Sequence, residues 1–160
     1  VRAGGGRPPG EPGPVDLDTL VRVSTDFVAP ALTRRSIALE VTIEPGLLVR
    51  ARADELTQVV ANLLQNAARY TPVGGRVRVT AERAPDGVLV RVANTGPGIP
   101  AEDLPRVWER FYRVDKSRDR ARGGAGVGLA IVRQLVEEAG GRVGAASEAG
   151  WTTFWFRLPA

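Results

Sequence analysis

Between Asp54 and Tyr70 the apolar residues Leu56, Val59, Val60, Leu63, Leu64 and Ala67 recur at three- and four-residue intervals, the spacing of a helix with one buried face. Two asparagines, Asn62 and Asn66, stand four residues apart in the same run, so both amides project from one side of that helix. Asn is a poor helix former, and both residues sit beside the Leu63-Leu64 pair that must enter a core. A merely exposed polar face explains that placement badly; a site that needs amide oxygens explains it well. Asp54 reads as the N-cap, and the helix ends near Thr71-Pro72, with a turn at Gly74-Gly75.

The rest of the chain alternates between the two periodicities. Residues 1–14 are Gly, Pro and Arg without apolar period and read as a flexible linker. Asp16-Leu17-Asp18 opens a helix whose stripe is Leu17, Leu20, Val21, Val23, Phe27, Val28 and Leu32. Ile37–Ile43 reads as a strand, and Leu47–Ala51 as a second, hairpin-paired with it across Pro45-Gly46. Arg76–Arg83 and Val88–Ala93 form a hairpin around Pro85-Asp86-Gly87. Short helical turns fill Pro100–Arg110, a helix runs over Leu129–Ala139 to Gly140-Gly141, and Arg142–Ser147 and Thr152–Leu158 are the last strands. This pattern predicts an α+β domain over residues 15–160. Its architecture is a two-layer α/β sandwich, with a mixed, mostly antiparallel sheet of about five strands covered on one face by three helices.

Composition narrows the function. The 160 residues contain no His and no Cys, which excludes Cys/His zinc sites, disulfides and a Ser-His-Asp triad. No apolar run is long enough to span a membrane, and the absence of any Met reads as a fragment of a longer chain. The net charge of +4 is concentrated: residues 110–122 hold Arg110, Arg113, Lys116, Arg118, Arg120 and Arg122 against Asp115 and Asp119, the whole excess of the chain. A nucleic-acid binder would spread its basic footprint over a face, so no nucleic-acid partner is expected. A loop that covers a polyphosphate has this composition; a solvated basic loop is the competing reading.

That basic loop lies between two glycine-rich turns, Asn94-Thr95-Gly96-Pro97-Gly98-Ile99 and Gly123-Gly124-Ala125-Gly126-Val127-Gly128-Leu129, and begins within Glu109-Arg110-Phe111-Tyr112-Arg113. The first turn lets backbone approach a planar ligand closely, and the second feeds a helix N-terminus, a ready anion site. The four segments in this order resemble the N, G1, F and G2 boxes of the ATP-binding catalytic domain of sensor histidine kinases, in the superfamily that also holds gyrase, Hsp90 and MutL. The resemblance covers roughly residues 15–159 and implies an ATP site with a lid. It makes Asn66 the main Mg²⁺ ligand with Asn62 assisting, brings Arg69 to a phosphate and puts Tyr70 in the base pocket. Asn94, Gly96, Gly98 and Ile99 line the adenine, Arg113 contacts phosphate, and Gly124, Gly126, Val127, Gly128 and Leu129 wrap the phosphates. Thr153, of the Thr152-Thr153 pair, closes the base pocket from behind, and Phe111 and Tyr112 pack at the lid hinge.

One position separates branches of the superfamily and another departs from the family. ATP-hydrolysing branches and the serine kinases place a Glu base four residues before Asn66, where this chain has Asn62. Without a base, water or a hydroxyl is not activated, whereas neutral imidazole is already nucleophilic; this favours the histidine kinase branch. The family's usual Asp is replaced by Asn94, which can accept through its oxygen from the adenine amino group or donate through its nitrogen. As an acceptor it forgoes charge assistance on the order of 1 kcal/mol. The resemblance therefore implies transfer of the ATP γ-phosphate to a histidine on a separate dimerisation and phosphoacceptor domain. It further implies a response regulator partner, a homodimeric full-length protein and a cytoplasmic domain without direct membrane contact, in a membrane-anchored sensor. The alternative is a nucleotide-binding pseudokinase module.

Overall fold

The computed structural model describes residues 11–110 and 128–159. Strand β1 (Gly13–Asp16) runs into helix α1 (Leu17–Arg34), then β2 (Ala38–Ile43), β3 (Leu48–Ala51), α2 (Ala53–Tyr70), β4 (Arg76–Ala84) and β5 (Gly87–Thr95). A 3-10 turn (Leu104–Arg106), α3 (Gly128–Glu138), β6 (Arg142–Glu148) and β7 (Trp151–Pro159) complete the described elements. Five strands form one sheet in the order β2-β4-β5-β7-β6, with β2 parallel to β4 and every other pair antiparallel. The helices cover one face, with α2 packed between α1 and α3. The two-layer α+β architecture is the expected one.

Strict alternation builds the core. Val77, Val79 and Ala81 of β4, Val88, Val90 and Val92 of β5, and Phe154, Phe156 and Leu158 of β7 all point toward the helices and are buried. They meet the predicted stripe of α2, which is buried at all six of its apolar positions. The other face of the sheet carries half-exposed side chains; there the Arg76 and Arg78 guanidinium groups lie 5.5 and 4.4 Å from the centre of the Trp151 ring. Further along that face, Glu44 accepts from the backbone N–H of Arg83 at 2.9 Å and from its Nε at 3.0 Å, which holds its carboxyl below the usual carboxylate range. That contribution is present at neutral pH and lost as pH falls through the lowered value.

Three local expectations change. Strand β3 does not pair with β2; it pairs antiparallel with β1, from Gly13 opposite Ala51 to Asp16 opposite Leu48. The turn at Pro45-Gly46, with Gly46 at φ 77°, leads the chain off the sheet, while β2 runs alongside β4. Ordered strand therefore begins at Gly13, inside the stretch read as linker. Asp54 is not the N-cap of α2. The cap stands two residues earlier, at Arg52, which makes no side-chain cap bond, and the helix starts at Ala53; Asp54 and Glu55 instead place carboxylates in the first turn, where the helix dipole favours them. By contrast, Asp16 does cap α1, accepting from the Asp18 N–H at 3.0 Å.

Arg35, at the C-cap of α1, ties the end of α2 in place. Its two terminal nitrogens donate to the carbonyl oxygens of Ala68 and Thr71, the latter at 2.6 Å, which satisfies acceptors that a helix C-terminus leaves open. The Thr71 hydroxyl donates to Ala67 O in the same turn. Arg35→Leu removes two charge-assisted bonds from a half-buried site and should lower unfolding free energy by about 1.5–3 kcal/mol in urea titration; an unchanged midpoint would mean water replaces the guanidinium without loss.

Candidate functional site

The inner face of the sheet is apolar until its last row. Val79, Val92 and Phe154 lie side by side across β4, β5 and β7, with Ala145 of β6 beyond them; the next row reads Val77, Asn94, Thr152, Ser147. Asn94 and Thr152 are each only 5% exposed, so two polar side chains occupy positions the strand period assigns to the core. A buried polar group requires a partner. Asn94 Nδ2 donates to Thr95 O at 2.9 Å, and Thr152 Oγ1 lies 3.1 Å from Ser147 Oγ. Asn94 Nδ2 thus spends one of its hydrogens on its own neighbour's carbonyl.

The first glycine turn folds back over this row. Gly96 N–H donates to Gly150 O at 3.3 Å, and Ile99 N–H donates to Ser147 Oγ at 3.0 Å. Gly98 sits at φ 87°, a left-handed conformation that side chains resist, and a Cβ there would stand 2.7 Å from Ser147 Oγ. Gly96 lies against the end of α2, where its Cβ position is 3.6 Å from Tyr70 O. The turn, the polar row and the last residues of α2 are thus brought together.

Helix α2 supplies the other wall. Asn62 and Asn66 lie half-buried on one side of it. Asn62 Nδ2 donates to Gly128 O at 3.3 Å, joining α2 to the start of α3, and keeps its own oxygen available. The Asn66 side chain has no hydrogen-bond partner among the described residues. Arg69 and Tyr70 occupy the last turn of α2, both half-buried. Gly128 and Leu129 open α3. Among the described residues no group of three His, Cys, Asp or Glu side chains converges as a metal site. Expectations for Phe111, Tyr112, Arg113, Gly124, Gly126 and Val127, and for the basic loop beyond Arg110, fall outside the described residues.

One assignment is corrected. Thr153 pairs with Ala93 and Ala146 and therefore faces away from the helices; Thr152, one residue earlier, shares the row of Asn94. In a strand a one-residue shift changes the face, so Thr152, and not Thr153, lies on the inner face beside Asn94. Ser147 and Trp108 went unread in the sequence. Trp108 is 5% exposed and meets Phe154 edge-on, with ring centres 5.6 Å apart at 89°, anchoring the segment that follows the glycine turn. The polar row itself was visible only as Ser and Thr in strands, which are common there.

Asn94→Asp separates the two jobs of this side chain. Replacing Nδ2 by oxygen sets a carboxylate against Thr95 O, so unfolding free energy should drop by about 1 kcal/mol. A charged acceptor should at the same time strengthen ATP binding by up to roughly tenfold, with no gain for GTP, which presents a carbonyl at that place. Calorimetry with both nucleotides and a urea titration measure these; weaker ATP binding in a folded variant would overturn the acceptor role.

The family model described as histidine kinase-, DNA gyrase B-, and HSP90-like ATPase matches residues 51–160. The signal transduction histidine-protein kinase BaeS of Escherichia coli (strain K12) is 36% identical over 147 residues, covering 91% of this chain and 32% of BaeS. The catalytic domain of histidine kinase ThkA, solved free of nucleotide, superposes with a TM-score of 0.84 at 27% identity, over 93% of this chain and 95% of that one. ThkA in complex with response regulator protein TrrA matches at TM-score 0.79 and 26% identity, over 92% and 41%. Full-length ShkA in complex with AMPPNP matches at TM-score 0.80 and 34% identity, over 92% and 31%. The chain spans about a third of the length of BaeS.

Proposed function

We propose a function that starts from one premise: the chain belongs to the histidine kinase-, DNA gyrase B- and HSP90-like ATPase family. It is an ATP-binding catalytic domain of the sensor histidine kinase kind, and nothing in its relationships supports a pseudokinase without phosphotransfer. The carrying observation for the site is the polar end row, Asn94-Thr152-Ser147, on the helix-covered face of the sheet, with Asn62 and Asn66 oxygens on α2 that have no hydrogen-bond partner among the described residues. In our reading the adenine amino group donates to Asn94, with Thr152 behind it and Gly96, Gly98 and Ile99 along its side. The triphosphate extends toward Arg69 and the start of α3, where Gly124, Gly126, Val127, Gly128, Leu129 and Arg113 enclose it.

Mg²⁺ is the metal the family implies, and the donor set fits it. Two neutral amide oxygens suit an ion that keeps waters and takes its charge balance from phosphate oxygens. Asn66 is the main ligand and Asn62 the auxiliary one; the ion, when bound, offsets negative charge on the phosphates. The chain's own residues position and orient rather than exchange protons, because position 62 carries an amide that takes no proton. The γ-phosphoryl group leaves ADP as its bond to the bridging oxygen breaks, and a new bond forms to an imidazole nitrogen. No His occurs in these 160 residues, so the acceptor belongs to a dimerisation domain elsewhere in the full protein.

The wider assignment follows. The full-length protein is a homodimeric sensor kinase that passes phosphate to a response regulator; its partnering is supported by ThkA, solved in complex with response regulator protein TrrA. No described helix is long and apolar enough to cross a membrane; the membrane anchor of the sensor lies in other segments, and this domain is cytoplasmic.

Calorimetry should detect ATP and ADP binding that strengthens with Mg²⁺. Asn66→Ala should remove most of the Mg²⁺-dependent gain, roughly tenfold for a lost contact of about 1.4 kcal/mol. No binding of either nucleotide at millimolar concentration would sink the reading, and an intact Mg²⁺ response in Asn66→Ala would remove Asn66 from its role. The isolated domain should neither hydrolyse ATP appreciably nor label itself. Addition of the dimerisation domain of the same full-length protein should yield acid-labile phosphohistidine, and its absence with bound ATP would refute phosphotransfer.

A further inference from the structure

Resting on that reading of the site, we propose that Ser147 is the positioning residue that sets the pose of the base-contacting loop. Two bonds flank the loop. At its start Gly96 N–H reaches Gly150 O at 3.3 Å, a long contact between backbones. At its end Ile99 N–H donates to Ser147 Oγ at 3.0 Å, a side-chain tether from a different strand. Between them Gly98, at φ 87°, brings the chain down onto the same hydroxyl, with room for hydrogen and not for a methyl. Ile99 is itself partly buried against the core, so the tether fixes a residue that packs as well as one that binds.

The hydroxyl does two things at once. A serine oxygen has one hydrogen to give and two lone pairs to offer. Ser147 accepts from Ile99 and shares a hydrogen with Thr152, 3.1 Å away in the row that holds Asn94. When Ser147 donates to Thr152, the Thr152 hydrogen is released toward its surroundings. The chain Ile99 N–H, Ser147 O–H, Thr152 O–H then runs from the loop to the floor of the base pocket. Loop position and pocket polarity are coupled through one atom, and Ser147 acts on the base without touching it.

Three variants test this: Ser147→Ala, Ser147→Thr, which retains the hydroxyl, and Ser147→Cys, nearly isosteric with a poor acceptor. In nucleotide-free protein, amide hydrogen exchange at Ile99 should accelerate by about tenfold in the Ala and Cys variants and return toward wild type in the Thr variant. Affinity for ATP and for adenosine should fall by the same factor, roughly three- to tenfold, while tripolyphosphate with Mg²⁺ binds as before. A generally loosened fold would weaken all three ligands alike. Unchanged Ile99 exchange, or unchanged adenosine affinity in the Ala and Cys variants, would overturn the proposal. If the wild-type domain binds no adenosine or ATP at all, the nucleotide reading fails instead, and the exchange measurement still decides whether Ser147 holds the loop. The Cys variant serves where the Ala variant does not fold.

Discussion

A sheet that ends in a polar row has to hydrogen-bond that row or lose the strands that carry it. Asn94 and Thr152 sit where the period of β5 and β7 demands core, and burial of an unpaired amide or hydroxyl costs on the order of 1–3 kcal/mol. The structure meets the demand locally: Asn94 turns its nitrogen to the next carbonyl, and Thr152 leans on Ser147. What remains is directional. An acceptor oxygen and a hydroxyl network stand at the edge of an otherwise apolar core, and the glycine turn is held above them by Ile99. The need to satisfy buried polar atoms is thus the same need that shapes a site for a flat, polar-edged ligand.

Precision at such a site comes from its supports more than from its contacting groups. Asn62, Asn66, Arg69 and Tyr70 ride on a helix buried along one side by six apolar residues and clamped at its C-terminal end by Arg35 from α1. Asn62 couples the same helix to the first residue of α3. On the opposite wall, Trp108 wedges against Phe154 one row below the polar residues. Arg35 and Trp108 thus brace the site from outside it, while Asn62 joins α2 to α3 through its nitrogen.

Those braces are the part that the sequence conceals. Hydrophobic period located α1, α2, α3 and the strands of the main sheet, because the spacing of Leu56 to Ala67 or of Val77 to Ala81 has one structural meaning. Motif order nominated the candidate site, because Asn62, Asn66, Asn94, Gly96 and Gly98 have few other reasons to occur in that arrangement. Partner choice was not legible. The pairing of β1 with β3 and the parallel run of β2 beside β4 depend on contacts far apart in sequence, while the Pro45-Gly46 turn is a local hairpin signal that tertiary structure overrides. Thr152 against Thr153 turned on a single-residue phase in a strand whose two faces both bear threonine. Arg35 and Ser147 carry no pattern at all: a basic residue after a helix and a serine in a strand are ordinary until their partners are known.

Asn62, where other branches of the superfamily carry a Glu, and Asn94, where this family usually carries an Asp, bear on mechanism in different ways. On the proposed reading, the amide at position 62 takes no proton, so rate enhancement comes from geometry and from fields aimed at the phosphates. At position 94 the amide keeps the hydrogen-bond direction of a carboxylate but anchors itself to Thr95 O, which a carboxylate would repel. On the proposed reading, the neutral residue exchanges ligand affinity for a better-satisfied pocket. For a domain that binds ATP, delivers one phosphoryl group and releases ADP, a moderately held base shortens the ADP-bound interval as well as weakening ATP capture. On the proposed reading, neutrality at 94 favours turnover wherever nucleotide is abundant, through the same hydrogen bond that satisfies the buried Asn94 amide.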